Sequence, residues 1–458
     1  MRRGLVLRDG DRVAVVGGGP AGSFFAILLL QRARELGLSL DVVIFDRKDF
    51  RYAGPRGCNM CAGAVGNRLL VRLGELGMPL PPQVIRHDIQ GYAFHTDGDF
   101  VDLRRDEHAH IYGVFRGGGP PGGEPSQHSG TSFDQHLLDY AQAQGARFVG
   151  KEVKAIELPQ AEGERVRIRY GPLGEESYEA ELGVGAFGVN STLLERVGLD
   201  YLPPKTWHAC QGELRLGAGY IQEQFRDMIH LFPVYAGGID YIALTPKGDY
   251  LTASAIGRHV KRADLEQALA HSDIRHALPP QWKLSCHCHP KIPVSPARRP
   301  YADRFVIIGD ASYSRYLKNG IESALYTALF AVEAALEEGI SREAFRQSFD
   351  RSCRSQFVRD NVWGKLIFRL YRFVLTRRFF SRPHLELMKI EQREGDPRRK
   401  ALSRIVWNVF SGEAPYREIL RKGLHPRLHA RLAYLSFQCL WADLHVSGQG
   451  SDPKAQDL

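Results

Sequence analysis

The stretch GPRGCNMCAG, residues Gly54 to Gly63, sets Cys58 and Cys61 three positions apart on a loop crowded with glycine. Far along the chain, SCHCHPKIPVSP alternates Cys286 and Cys288 with His287 and His289. Three chemistries suit these thiols. Thiolates, alone or with a histidine, hold zinc or an iron–sulfur centre, although Cys-x-x-Cys combined with Cys-x-Cys is not a standard finger spacing. A disulfide within Cys58-x-x-Cys61 exchanges electrons with a neighbouring redox group. Alternation along a strand instead sends Cys286 and Cys288 to one face and both histidines to the other, which is packing.

The elements that must position such groups begin near the start of the sequence. RVAVVGGGPAGSFFAILLLQRARELG reads as a β-branched strand, the spacing Gly17-x-Gly19-x-x-Gly22, and a long apolar helix. Gly17 makes the tight turn, Gly19 lets the backbone approach a pyrophosphate, and Gly22 lets helix pack on strand. The helix N-terminus offers N–H groups and the positive end of its dipole. A second strand, LDVVIFDR, ends in Asp46, an acceptor suited to ribose hydroxyls. Asp46 lies 29 residues after Gly17, against about 20 in the usual motif, so a longer crossover helix or return loop is expected.

A second cofactor segment lies in ADRFVIIGDASYSRYLKNGIESALYTALFAVEAAL. The buried run Phe305 to Ile308 reads as a strand ending at Gly309-Asp310, and a helix is expected near Asn319-Gly320-Ile321. Asp310 suits a sugar or ribityl hydroxyl, and N–H groups at the helix start suit a flavin ring or its pyrophosphate. Together the two segments imply one extended dinucleotide, FAD rather than NAD.

GGGPAG, an acidic residue ending the second strand, and VIIGDAS…NGIESAL resemble the FAD-binding p-hydroxybenzoate hydroxylase superfamily, and within it the geranylgeranyl reductase group and its quinone-linked dehydrogenase relatives. CAG after the acidic strand end, IDYIALTPKGDYLTASAIG through Tyr241, Pro246, Lys247, Gly248 and Asp249, and FSGEAPYREILRKGLHP support that branch. The resemblance implies cofactor contacts at Gly17, Gly19, Pro20, Ala21, Gly22, Asp46, Arg47, Arg116, Val153, Asp310, Gly320 and Ile321. It places Cys61 beside the flavin as the leading catalytic group. Cys58, the second catalytic candidate, has no counterpart in the family pattern, nor have Cys286 and Cys288; if the two pairs meet in space, Cys58, Cys61, Cys286 and Cys288 are an outside candidate for a metal cluster. Two departures stand out. Phe187 occupies the place of the family's middle aspartate, which weakens the case for direct reduction by NAD(P)H, and Gly130 replaces an arginine whose role falls to Arg116. The implied activity is FAD-dependent chemistry on a carbon–carbon bond of a hydrophobic isoprenoid or lipid-like substrate. Aromatic hydroxylation or halogenation and electron transfer to quinone are the alternatives, and NAD(P)H or a ferredoxin-like protein is the reductant.

The implied architecture is α/β: a Rossmann-like FAD domain built from residues 10–90, 130–200 and 295–340, and an inserted β-sheet substrate domain from 91–129 and 201–294. A helical region over 341–445 and a flexible tail over 446–458 follow. The loop RGGGPPGGEPSQHSG reads as a mobile linker or a lid. Seven cysteines without an evident export signal point to a reducing cytosol. Net charge is +9, yet from Ser341 onward 23 lysines and arginines face 12 aspartates and glutamates, so the basic character belongs to the C-terminal quarter. There VWGKLIFRLYRFVLTRRFFSRP carries six basic residues and no acid between Trp363 and Pro383. Trp363, Leu366, Ile367, Leu370, Phe373 and Val374 form one helical stripe, which suits either a cover for the core or contact with a lipid surface. No nucleic-acid recognition motif is present in the sequence.

Overall fold

The computed structural model describes residues 5–60, 62–96, 98–105, 109–120, 132–161, 163–233, 238–394 and 396–449. Its first layer is a six-stranded sheet in the order Tyr301–Ala302, Phe305–Ile307, Leu182–Gly185, Arg12–Val16, Asp41–Phe45, Arg147–Val149. Every pairing is parallel except the edge hairpin Tyr301–Ala302/Phe305–Ile307. Its central strands are continuous β-branched or small apolar runs because both faces are covered.

The glycine turn leads into helix Pro20–Glu35, which starts with proline at its first turn and ends before Gly37, a left-handed residue at φ +71°. This 16-residue helix, followed by the return loop to Asp41, accounts for the long spacing between Gly17 and Asp46. It packs between helices Phe133–Ala143 and Gly320–Glu333, so the two cofactor segments distant in sequence share one core.

The second layer is a seven-stranded sheet in the order Leu284–Cys288, Cys210–Arg215, Tyr250–Gly257, Ile239–Lys247, Met228–Pro233, Gly91–Thr96, Asp99–Arg104. It is antiparallel apart from the pairing of Met228–Pro233 with Gly91–Thr96, where the two separate stretches of chain meet. Not all of the first stretch joins it: Ile111–Gly113 pairs with Ala64–Val65 and His87–Ile89 in a small sheet between the layers.

One face of the large sheet is covered by Ala218–Gln224 and Arg262–Leu269, the other by the C-terminal helices. Those helices bring Phe368, Leu387, Phe410 and Tyr416 onto Tyr92, Phe94 and Tyr241. Gly364 admits the Tyr416 ring, which would lie 2.6 Å from a Cβ at that position. The last helix, Pro426–Gln449, runs four residues past the boundary expected at 445, and residues 450–458 lie outside the described part.

The expected stripe through Trp363 is divided. Helix Arg359–Leu375 buries Asn361, Gly364, Ile367 and Phe368 and leaves Trp363, Leu366, Leu370 and Phe373 between 38% and 47% exposed. Pro383 belongs to the next helix, Arg378–Arg393, so the basic segment is two helices joined at Arg377. Among the described residues no helix is long and apolar enough to cross a membrane.

Candidate functional site

The glycine turn is built by exclusion. Gly17, at φ +114°, donates its N–H to Phe45 O, and a Cβ there would lie 2.4 Å from Ala186 O. A Cβ on Gly22 would lie 1.9 Å from Gly17 O, so only glycine lets helix and turn approach this closely. Asp46 ends its strand beside the turn and accepts from Gly18 N at 2.8 Å and Lys48 N at 2.9 Å. Burial pushes its carboxyl above the usual range, and those two N–H donors oppose the shift.

A polar chain then runs from this turn to the first turn of helix Phe133–Ala143. Lys48 Nζ donates to Cys58 O at 2.6 Å and Asn59 Oδ1 at 2.7 Å. Asn59 Nδ2 donates to Asp134 Oδ2 at 2.5 Å, and Asp134 forms a two-point ion pair with Arg116. Burial draws the Lys48 ammonium down. The roles of Lys48 and Asn59 escape sequence inspection; the one local sign is that Lys48 follows Asp46 by two positions and folds back on it.

The distant segment supplies the opposite wall. Asp310 Oδ1 accepts from Val189 N at 2.9 Å and so fastens the loop that carries Phe187. Burial pushes the Asp310 carboxyl up. Gly309 N donates to Thr327 Oγ1, and helix Gly320–Glu333 begins at Asn319, itself left-handed at φ +53°.

These segments meet around one cavity of about 600 Å³. Gly17, Gly19, Pro20, Ala21, Asp46, Arg47, Arg116, Val153, Asp310, Gly320 and Ile321 border it, while Gly22 lies beneath the turn. The cavity continues past Asp310 into a chamber bordered by Tyr92, Leu231, Tyr241, Ile256, Leu317 and Phe410, with Lys318 among them. A cleft whose turn excludes a Cβ at Gly17 and Gly22, holds carboxylates at both strand ends and faces a helix start fits an extended dinucleotide such as FAD.

Cys58, Cys286 and Cys288 are not among the residues that border the cavity, and Cys61 lies outside the described residues. Cys286 and Cys288 stand opposite Glu213 and Gln211 on the neighbouring strand, and His287 is exposed on the other face. Cys58 is close enough to both that a charge on it would raise Cys286 and Cys288. Burial already raises the Cys58 thiol and pushes Cys286 up to about 11. Among the described residues no group of three or more histidines, cysteines, aspartates or glutamates is placed to hold a metal ion. Lys247, 1% exposed, stands 3.7 Å from Glu213 and over the Phe115 ring, behind the Gly63 turn.

No protein-family model and no curated protein sequence matches this chain. Solved structures do match. A geranylgeranyl bacteriochlorophyll reductase-like protein from Thermoplasma acidophilum superposes with a TM-score of 0.61 at 16% identity, covering 94% of this chain and 100% of its own. A flavoprotein/dehydrogenase from Cytophaga hutchinsonii gives 0.61 at 14% identity over 94% and 100%. The flavin-dependent halogenase CmlS gives 0.60 at 15% identity over 91% and 76%. The chain therefore shares the fold of these geranylgeranyl bacteriochlorophyll reductase-like, dehydrogenase, halogenase and monooxygenase structures, the p-hydroxybenzoate hydroxylase-type fold that the sequence resemblance implied.

Proposed function

We propose that this protein is an FAD-dependent oxidoreductase acting on a hydrophobic substrate, and that the substrate is isoprenoid or lipid-like and is reduced, or in reverse desaturated, at a carbon–carbon double bond. The observation that carries the reading is the continuity of one cavity from the glycine turn and Asp310 into a chamber walled by tyrosine, leucine, isoleucine and phenylalanine side chains. FAD, when bound and reduced by the electron donor, would supply a hydride equivalent for reduction, and oxidised FAD would accept one in desaturation. The glycine turn and Asp46 hold the adenosine diphosphate half, while Asp310 and the start of helix Gly320–Glu333 hold the flavin half. The network Lys48–Asn59–Asp134–Arg116 fixes the intervening loop. Tyr92, Tyr241 and Phe410 orient the substrate and exclude water from the reacting carbons.

Anaerobic reduction with dithionite, followed by mixing with candidate acceptors, tests the assignment. Reoxidation by a polyprenyl alkene supports it. Reoxidation by quinone alone assigns electron transfer, and oxygen-dependent hydroxylation or halogenation of an aromatic compound assigns the alternative represented among the similar structures. Either of those outcomes, or a chain that binds no FAD, overturns it. The electron donor, NAD(P)H or a ferredoxin-like protein, is read in the same experiment by replacing dithionite.

A lipid surface is the proposed place of work. Trp363, Leu366, Leu370 and Phe373 are exposed on a helix that also carries Lys365, Arg369 and Arg372, with Arg377 at its end, a composition suited to an anionic headgroup layer.

A further inference from the structure

Lys318 is a cation that the cofactor cleft does not use. It lies at the border between that cleft and the apolar chamber, and its Nζ stands 5.1 Å from the Tyr241 ring centroid and 4.9 Å from that of Phe410. Among the described residues it has neither a carboxylate partner nor a hydrogen-bond acceptor. The charged and titratable groups around it are otherwise engaged or of like sign. Arg315 donates to Gly412 O and Ala414 O, Glu322 pairs with Arg68, Glu413 accepts from Trp407, and Tyr92 and Tyr241 are buried phenols.

The backbone singles out the same residue. Leu317 and Asn319, on either side of Lys318, both adopt left-handed conformations at φ +57° and +53°. For leucine this conformation is strained, and such strain persists only where the surroundings impose it. Leu317, Lys318 and Asn319 all border the cavity, just ahead of helix Gly320–Glu333. Burial and Arg315 together draw the ammonium down to about 7, so its charge is poorly compensated without a ligand.

We propose that Lys318 anchors an acidic oxygen on the substrate: a phenol, quinol or carboxylate whose apolar body fills the chamber and whose ionised oxygen rests on Nζ. The inference rests on reading this cavity as the substrate site. It adds that the substrate is amphiphilic, with one acidic oxygen close to the reacting carbons, and is not a bare hydrocarbon.

The test uses the full chain with and without FAD, and 4-nitrophenol as the probe, because its anion is yellow and its neutral form is not. The wild-type chain binds the anion and ionises the probe at a lower pH than in free solution. Lys318→Met lowers affinity for the anion at least about tenfold, as expected for loss of one charge-assisted hydrogen bond, and leaves affinity for the uncharged 4-nitroanisole unchanged. Lys318→Arg retains part of the anion affinity, which separates charge from folding. Competition by decanoate but not decanol assigns a carboxylate, and absence of competition by either assigns a phenol or quinol. Equal binding of 4-nitrophenol and 4-nitroanisole, unchanged anion affinity in Lys318→Met, or no binding of either probe overturns the proposal. The colour belongs to the probe, so failure to bind FAD counts against the cofactor reading alone.

Discussion

Arg116 grips Asp134 at both carboxylate oxygens, with the carboxylate fully buried at the first turn of helix Phe133–Ala143 and the guanidinium only 10% exposed. The pair joins the strand segment after Gly113 to the helix that supports the cofactor turn. Removing one partner of a buried pair leaves an uncompensated charge, at a cost of about 3–5 kcal/mol. Arg116→Ala is therefore expected to lower the thermal midpoint substantially, whereas Arg116→Lys, which keeps the charge but loses the fork, lowers it less. A midpoint for Arg116→Ala within a degree of wild type would contradict this account.

The contact between Gly22 and Gly17 makes a sharper forecast for cofactor binding. Gly22→Ala forces the turn and helix apart, an overpacking of about 1–3 kcal/mol, and should weaken FAD binding measured by quenching of flavin fluorescence. Gly74→Ala, in helix Asn67–Glu75 with nothing within 4 Å of the new methyl, is the control. It should leave binding unchanged and favour the helix slightly.

Lys318 gives the fold a pH signature. Its folded value, about 7, lies below the ordinary 10.5, so between those limits the unfolded chain binds more protons and stability from this residue rises with pH. Below about pH 7 both states are protonated and the full cost of burying the charge is present. The stability gained by Lys318→Met over wild type is thus expected to be largest at pH 6 and to shrink toward pH 10. Chemical denaturation across that range reads it, and a pH-independent difference would count against a lowered Lys318.

The thiols have a separate expectation. Because burial keeps Cys58, Cys286 and Cys288 protonated at neutral pH, they should alkylate with iodoacetamide far more slowly than the same residues in the unfolded chain, read by peptide mass spectrometry. Rapid labelling of Cys58 at pH 7 would instead mark an activated thiolate. Protein purified without chelator should carry well under stoichiometric zinc or iron, checked by elemental analysis.

Membrane contact is tested by co-sedimentation with vesicles. Wild type should pellet with vesicles containing phosphatidylserine and less with phosphatidylcholine alone, falling further as salt rises. The double substitution Trp363→Ser with Phe373→Ser, at exposed positions, should abolish the effect while leaving FAD content intact. Equal pelleting of the variant would remove this surface from consideration.

What the sequence determined by itself was local. Glycine spacing after a β-branched run and an acidic residue at a strand end are short-range patterns with one physical solution, and so the cofactor turn, the Asp310 segment and the fold class were legible. The alternation of Cys286 and Cys288 with exposed His287 was also legible, because a strand has period two. What only tertiary structure decided was adjacency. Lys48 and Asn59 joined one polar network with Arg116 and Asp134 because three separate segments converge on the turn. The helix through Trp363 divided its apolar residues between core and surface according to which neighbours packed on it. Nothing local in the sequence singles out Lys318; the rings of Tyr241 and Phe410, which arrive from distant parts of the chain, make it the chamber's cation. Burial and charge compensation are set by what comes to lie alongside a residue, and a linear pattern carries little of that.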